Sequence, residues 1–372
     1  MTTEEALSSD EEQLIEPTTE TKRRISGKFI WLQGLVFAAG LALLFFVLYK
    51  IGFGVIAETI GQIGWGFLFI AATNFSRHLI RATCIYLAIP KEHRHVRYHN
   101  VLAARLAGEA MNLMTFAGPV LGEATKAAML KNKVSFARSA AAVIVDDIMY
   151  YVSVALMMLT GVLLMALTFG ANGKVIRYTL IGVGIGASLM LIGMFLVIRY
   201  NARPLSWLLA KLDARGWLPN TVAKRREYIH EIETNVYGVY NERPKLFYSL
   251  LGLGFLAHVT SVLEVFIALN LLNTEGRVPT LTDAYIIESL TKVINAAFSF
   301  IPGVVGVYEG GNGIILRSLG YLTAIGVALA LVRRGAILLW AAFGFAILLW
   351  RTVDRGTKTL SKPASETIQE KA

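Results

Sequence analysis

Two short segments of this chain combine residues that break helices with a residue that carries charge. Asn112 to Glu123 reads NLMTFAGPVLGE, and Asn295 to Glu309 reads NAAFSFIPGVVGVYE. Both contain an Asn, a Phe, a Gly-Pro or Pro-Gly pair, a Gly and a Glu, in that order. Pro and Gly interrupt helices, and a carboxylate in hydrocarbon is costly unless it has a partner. The repeated order predicts a polar site inside a membrane, built from two related halves.

Further ionisable residues lie in the apolar stretches around these segments. Arg77 and Arg81 are four residues apart and share a helix face, so they could bind a phosphate group as a fork. They could equally form ion pairs with Asp146 or Asp147, and the sequence leaves both interpretations open. Other charged or titratable residues in these stretches are His78, Glu109, His258, Glu264, Glu288 and Lys292.

Each motif is followed by a long apolar segment that carries a pair of charges. Asp146-Asp147 follow the first motif and Arg333-Arg334 follow the second, so equivalent places have opposite sign. One interpretation is a buried salt bridge between the two halves. The other is that Arg333 or Arg334 holds an anionic headgroup.

The Glu and Asn residues of the motifs have two interpretations each. Glu123 and Glu309 follow the helix breaks, so they could contact a substrate or only complement the dipole of the returning helix. Asn112 and Asn295 could contact a substrate, but we expect them to cap broken backbone. These patterns make Arg77, Arg81, Asn112, Glu123, Asp146, Asp147, Asn295, Glu309, Arg333 and Arg334 candidate binding residues. No metal-ligand cluster, phosphate loop or nucleophile elbow occurs, so we expect no metal, cofactor or catalytic residue.

The elements that position these residues follow from composition. The chain has 372 residues, 55% apolar and 17% charged, with mean hydropathy +0.55, and several apolar runs are long enough to cross a bilayer. We predict an all-α integral membrane protein with six spans and no nucleic-acid partner. The predicted spans are Phe29–Tyr49, Ile63–Ile89, Ala137–Phe169, Ile176–Ile198, Leu246–Leu272 and Ala324–Trp350. Glycines in the fourth span, in GVGIGASLMLIG, predict close helix packing.

The two interrupted stretches, Val101–Leu130 and Ala284–Leu319, predict re-entrant helical hairpins; pairs of short, tilted full spans are the alternative. Three spans separate the hairpins, so the halves, about 63–169 and 246–350, would form inverted repeats. With both termini inside, 25 of the 36 Lys and Arg residues face the cytoplasm, five face outward and six lie within membrane segments. This bias favours a cytoplasmic location for both termini.

The remaining segments are predicted to lie in the cytoplasm. Residues 1–28 begin with seven acidic residues in the first 20 and predict a disordered tail. Residues 200–244 predict amphipathic helices on the inner leaflet, with Lys224, Arg225 and Arg226 near anionic headgroups. The membrane domain would then span 29–350, with a short tail at 351–372.

These motifs resemble those of a known membrane family. FIPGVVGVYEGG followed by an apolar span with Arg333 is similar to the PGGxGxxE signature of the lysylphosphatidylglycerol synthase transmembrane region, or flippase-like UPF0104-type, family. FAGPVLGEATKAAMLKNK resembles its first block. Val304 stands where the family usually has a second Gly, and Asp146-Asp147 where a Glu-Arg type pair is expected.

The resemblance implies a lipid-translocating domain in a bacterial inner membrane. It also implies that one half of the binding site is formed by Pro119, Gly122, Glu123 and Asp147, and the other half by Pro302, Gly303, Gly306, Glu309 and Arg333. Family members fused to an aminoacyltransferase domain move aminoacylated phosphatidylglycerol outward; this chain would correspond to the translocating part. We therefore expect a flippase for a phosphate-bearing lipid, aminoacylated or glycosylated, and not an enzyme. Its expected partners are membrane lipids, a separate lipid-modifying synthase and a second copy in a homodimer. The alternatives are a secondary transporter for a small anion or amino acid and, less favoured, a membrane-embedded lipid transferase.

Overall fold

The computed structural model describes residues 53–360 except 115–117, 132, 170–173, 217–225, 273, 275, 300, 302–303 and 305. Within these residues the regular structure is entirely helical. The helices of the first half are α1 (Phe53–Ile63), α2 (Phe67–Ala88), α3 (Tyr98–Met114), α4 (Gly118–Leu130), α5 (Phe136–Phe169) and α6 (Lys174–Arg199). Those that follow are α7 (Pro204–Asp213), α8 (Arg226–Asn241), α9 (Pro244–Leu271), α10 (Leu281–Ala297), α11 (Val307–Ser318) and α12 (Thr323–Leu360). The protein is therefore an all-α membrane protein, as predicted.

Five segments of the described chain are long and apolar enough to span a membrane. They are Ile56–Ala88, Phe136–Thr168, Leu180–Arg199, Pro244–Leu271 and Thr323–Arg351. Each coincides with a predicted span. The sixth predicted span, Phe29–Tyr49, and the acidic tail before it lie outside the described residues. At the other end, α12 continues to Leu360, so part of the segment predicted as a tail is helical.

Each interrupted stretch forms two short helices. In the first, α3 has 17 residues and α4 has 13; in the second, α10 has 17 and α11 has 12. At 1.5 Å per residue the longest of these is about 26 Å, less than the ~30 Å hydrocarbon thickness. The breaks predicted from Pro and Gly are thus present, while re-entry at one membrane face stays a prediction.

Glycines let these helices approach one another closely. A Cβ added to Gly108 on α3 would lie 2.8 Å from the carbonyl oxygen of Gly122 on α4, and one on Gly122 would lie 2.7 Å from that of Gly108. On α12, a Cβ on Gly344 would lie 2.1 Å from the Leu106 oxygen of α3. On α5, a Cβ on Gly161 would lie 2.2 Å from Ser289 of α10. Helix α12 therefore packs on α3, the first helix of the first interrupted stretch, and α5 packs on α10, the first helix of the second.

Helix α6 differs from the prediction. A Cβ on Gly182, Gly184, Gly186 or Gly193 would meet nothing within 4 Å, so these glycines do not mark a packed face among the described residues. The helix packs on α5 through a small cluster that includes Val154, Met158 and Ala187. Of its described apolar side chains only Leu180 and Ala187 are buried, which suits a helix surrounded by lipid.

The segment between α6 and α9 contains the two predicted amphipathic helices. Glu233 on α8 accepts a hydrogen bond from the backbone N–H of Leu205 on α7 at 2.9 Å, and Tyr237 donates to the carbonyl of Ala202. Trp207 and Leu208 of α7 are exposed, as expected of a helix that lies on a bilayer. Of the three basic residues predicted near headgroups, Lys224 and Arg225 lie outside the described residues, and Arg226 is exposed.

The predicted orientation can be tested by cysteine labelling. Cys84 is the chain's one cysteine, and it is buried, so the unmodified protein should not react with an impermeant maleimide. Lys211→Cys on α7 should react only from the cytoplasmic face, and Val278→Cys, in the exposed loop before α10, only from the outer face. Labelling of Lys211→Cys in intact cells would contradict the cytoplasmic placement of this segment.

Candidate functional site

A cavity of about 330 Å³ lies where the two hairpins meet the long helices. Its walls come from α2, α3, α5, α10, α11, α12 and the turn between α10 and α11. Six basic residues line it: Arg77, Arg81, Arg105, Lys292, Arg333 and Arg334. These are the same six that remain within membrane segments once the loops are assigned to the two faces. These six cations therefore converge on one site, whereas Lys126, buried on α4, pairs with Glu123 outside it.

In the first half, Asp146 on α5 connects two arginines from different helices. Arg81 on α2 lies 2.7 Å from Asp146 Oδ2 and 2.7 Å from Asp147 Oδ1 through its Nη2. Arg105 on α3 has its Nη2 3.2 Å from Glu109 Oε2 and its Nη1 4.0 Å from Asp146 Oδ2. Asp146 is 2% exposed, so its charge depends on these partners.

In the second half, Arg333 on α12 connects two glutamates. Its Nε lies 3.2 Å from Glu264 Oε1 on α9, and its Nη2 lies 2.7 Å from Glu288 Oε2 on α10. Glu288 is also 2.8 Å from the Nζ of Lys292, one turn along the same helix. Arg334 contacts Glu309 at 2.7 Å.

The two networks are copies of each other with the charges reversed. Three charged residues of α9 and α10 lie 183 residues after a residue of opposite charge in the first half: Glu264 after Arg81, Glu288 after Arg105, and Lys292 after Glu109. Asn295 follows Asn112 by the same interval, and Arg333 and Arg334 follow Asp146 and Asp147 by 187. The geometry is retained: the residue on the long helix pairs with one residue on α2 or α9 and approaches one on α3 or α10. The internal repeat thus extends to its ion pairs.

Each half of the network is neutral. The first half contains three cations, Arg77, Arg81 and Arg105, and three carboxylates, Glu109, Asp146 and Asp147. The second contains Lys292, Arg333 and Arg334 with Glu264, Glu288 and Glu309. Neutral clusters reduce the cost of burying charge in a membrane protein. All six cations line the cavity, whereas only Glu109 and Glu288 of the carboxylates do, so the cavity wall is biased toward positive charge.

The ion pairs of the described residues all lie within one half or the other. The salt bridge considered between Asp146-Asp147 and Arg333-Arg334 is therefore absent from the described structure, because both pairs find partners in their own halves. The polar contacts between the halves are hydrogen bonds, of which two lie beside these ion pairs. Asn74 donates to Glu264 at 3.2 Å, and Arg77 donates to Ser261 at 3.3 Å.

Tyr150 on α5 also joins the two halves. The guanidinium carbon of Arg81 lies 4.2 Å from the centre of its ring, and Lys292 donates to its hydroxyl at 3.1 Å. Tyr150 lines the cavity. An aromatic ring between two cations shields them from each other and supplies a cation–π contact.

The two proposed phosphate-binding arginines have different partners in the structure. Arg81 is paired with Asp146 and Asp147, whereas Arg77 makes no ion pair with a described carboxylate and contacts Ser261. Both line the cavity. Asn112 and Asn295 also line it, and neither side chain has a hydrogen-bond partner among the described residues. Much of the backbone at the two breaks lies outside the described residues, so the expected capping there stays a prediction.

The two motif glutamates have different surroundings. Glu309 accepts a hydrogen bond from the backbone N–H of Gly306 at 2.8 Å, which is the N-terminal capping arrangement considered from the sequence. Gly306 has φ +80, a conformation that favours glycine. Glu123 instead pairs with Lys126, one turn further along α4, at 2.6 Å. Neither glutamate lines the cavity.

The remaining candidates lie at the breaks themselves. Gly122 allows the close approach of α4 to α3 described above. Pro302 and Gly303 lie outside the described residues, as does the side chain of Pro119. Val304, where the related signature has a glycine, adopts φ +50, which is unfavourable for a β-branched residue, and it lines the cavity.

Sequence reasoning omitted Arg105, Tyr150 and Tyr308 from the site. Arg105 and Glu109 are spaced i, i+4 on a broken apolar stretch, and so are Glu288 and Lys292 on the other. That shared spacing, with charge sign ignored, would have placed Arg105 in the site. The two tyrosines carried no comparable signal.

The fold and site define a class of protein: an integral membrane protein with a charged cavity at the interface of two sign-reversed repeats. The family model described as the lysylphosphatidylglycerol synthase TM region matches residues 30–344. The chain therefore belongs to this family, whose function is related to lipids. No curated protein and no solved structure gives a significant match.

Proposed function

We propose that this protein translocates a phosphate-bearing lipid between leaflets and does not catalyse a covalent reaction. The observation that carries the proposal is the cavity, which is lined by more cations than carboxylates although it lies among long apolar helices. A lipid headgroup with a phosphate could enter such a cavity while its acyl chains stay in the hydrocarbon. The headgroup would exchange contacts with water for contacts with the six basic side chains, which lowers the cost of crossing.

Family membership supports a lipid as the substrate. The family description refers to the membrane part of an enzyme that makes an aminoacylated phospholipid. We therefore include aminoacylated and glycosylated phospholipids among the proposed substrates. A separate lipid-modifying synthase would supply these lipids. The protein would act in a bacterial inner membrane, with both termini in the cytoplasm, and we propose that it forms a homodimer.

The test is lipid translocation in reconstituted vesicles. Purified full-length protein in vesicles should accelerate access of external dithionite to a fluorescent phosphatidylglycerol placed in the inner leaflet. Arg77→Gln should slow this transfer by about tenfold, the value expected when one charge-assisted hydrogen bond is lost. Arg77 is the informative position because its removal leaves no described carboxylate without its partner.

Arg177→Gln is the matched control, because Arg177 is exposed near the start of α6 and does not line the cavity. Absence of transfer for every phosphate-bearing lipid would refute lipid translocation. Transfer at a rate unaltered by Arg77→Gln and by Glu309→Ala would refute translocation through this site. Uptake of labelled phosphate or amino acid into the same vesicles, coupled to a proton or sodium gradient, would instead establish a secondary transporter.

A further inference from the structure

Two buried guanidinium groups beside the cavity have N–H donors without a hydrogen-bond partner. Arg105 on α3 and Arg333 on α12 are each 4% exposed. The Nε and Nη1 of Arg105 and the Nη1 of Arg333 have no hydrogen-bond partner in the described structure. Both residues line the cavity. Buried charged donors are normally satisfied, so this arrangement points to a ligand.

The carboxylates around these arginines leave those donors unused. Arg105 directs its Nη2 to Glu109 at 3.2 Å, and its Nη1 is 4.0 Å from Asp146, beyond hydrogen-bonding distance. Arg333 uses its Nε for Glu264 and its Nη2 for Glu288. Each arginine is therefore held in place by carboxylates on some of its nitrogens while others stay unpaired.

The sign reversal between the repeats makes these two residues complementary. The counterpart of Arg105 in the second half is Glu288, and the counterpart of Arg333 in the first half is Asp146. A site with two such arginines therefore cannot be built from one half alone. It requires one arginine from each half, and the equivalent residues Asn112 and Asn295 also line the cavity.

The chemistry of the ligand follows from the donors. Unpaired N–H groups on guanidiniums from two different helices favour an anion with several acceptor oxygens. Phosphate groups meet this requirement, and guanidinium forks match their geometry. A carboxylate can approach two arginines, as Asp146 does, but its two oxygens lie in one plane and offer fewer acceptor directions than a phosphate group. A cavity of about 330 Å³ is at the lower end of the usual size for small ligands.

We infer that Arg105 and Arg333 bind a single phosphate group between them, and that this is the position at which the two repeats jointly hold the substrate. The inference rests on the proposed function in identifying that phosphate as part of a lipid headgroup. The binding site itself depends only on the unpaired donors and on the cavity they line.

The experiment measures binding to the purified full-length protein by calorimetry. The probes are inorganic phosphate, glycerol 3-phosphate and short-chain dihexanoyl phosphatidylglycerol, with dihexanoylglycerol as the uncharged control. One phosphate compound should bind per chain, and the uncharged control should not bind. Preference for the short-chain lipid would identify a headgroup site, and equal or tighter binding of glycerol 3-phosphate would identify a site for free phosphate esters. Both results support the phosphate site.

The variants keep the cluster neutral so that they fold. Arg105→Gln/Glu109→Gln and Arg333→Gln/Glu264→Gln should each weaken phosphate binding by about 10- to 100-fold, the effect of losing charged hydrogen bonds. Combining them should cost less than the product of the two effects, because both remove contacts to the same anion. Arg177→Gln should bind as the unmodified protein does.

Arg105→Lys and Arg333→Lys provide a second measurement if the paired variants are unstable. Lysine keeps the charge but lacks the forked N–H groups, so binding should still weaken. Two bound phosphates per chain, independent multiplicative losses, or no phosphate binding would overturn the inference. Loss of binding in these variants with lipid transfer unchanged would refute the site but not the translocator. Phosphate binding without any lipid transfer would refute the translocator but not the site.

Discussion

Replacing Arg333 by Leu should destabilise the protein by about 3–5 kcal/mol, the cost of breaking a buried ion pair by removing one partner. Arg333 contacts Glu264 and Glu288, both 1% exposed. Its removal leaves Glu264 with only the amide of Asn74, while Glu288 keeps Lys292. The free energy of unfolding, measured by denaturant titration in detergent, should fall by this amount.

A second substitution separates the unpaired charge from the lost packing. Arg333→Leu/Glu264→Gln removes the stranded carboxylate and should recover most of the lost stability. Arg177→Leu, at an exposed position, should change the free energy of unfolding by no more than about 0.5 kcal/mol. A double variant as unstable as Arg333→Leu would show that the carboxylate is not the origin of the loss.

Replacing Gly344 by Ala should cost about 1–3 kcal/mol or more, because the contact is with backbone and cannot be relieved by a side-chain rotation. The added Cβ would lie 2.1 Å from the carbonyl oxygen of Leu106 and 2.5 Å from its carbon. Helices α3 and α12 would have to separate. Since α3 carries Arg105 and α12 carries Arg333, phosphate binding should weaken as well as stability. Thermal unfolding and calorimetry on the same sample measure both.

Gly184→Ala on α6 is the control for this substitution. A Cβ at Gly184 meets nothing within 4 Å, and alanine has the higher helix propensity. This variant should be as stable as the unmodified protein or slightly more stable. Equal effects at the two positions would mean that the approach of α3 to α12 does not matter for the fold.

The long helices were predictable because hydrocarbon imposes a length and a composition on them. The breaks between α3 and α4 and between α10 and α11 were predictable because Pro and Gly remove helical hydrogen bonds or favour other conformations. The packing of these helices against one another was harder to predict from the sequence. The glycines of α6 suggested close contact but lie on an open face, whereas Gly344 on α12 makes the contact, because a glycine permits approach without specifying a neighbour.

The site was predictable in part. The need to pair charges in a membrane correctly gathered Arg77, Arg81, Arg333 and Arg334 near one another. The ion-pair partners of these arginines could not be predicted in this way, because Asp146 could neutralise any of several arginines. The 183-residue interval relating Arg105 to Glu288 is present in the sequence, but opposite charges make the positions look dissimilar. The shared property is the geometry of an ion pair, which is unaffected when both signs are exchanged.

The ion pairs also constrain the order of assembly during synthesis. Arg81 precedes Asp146 by 65 residues, and Glu264 precedes Arg333 by 69. At a ribosomal rate of roughly 5–20 residues per second, each early charge waits about 3–14 s for its partner. The segment with Arg81 has the lowest mean hydropathy of the five candidate spans, 1.2, so it is the least able to enter lipid alone. We therefore expect its stable insertion to await α5, which would make membrane integration of the first half a cooperative, late event.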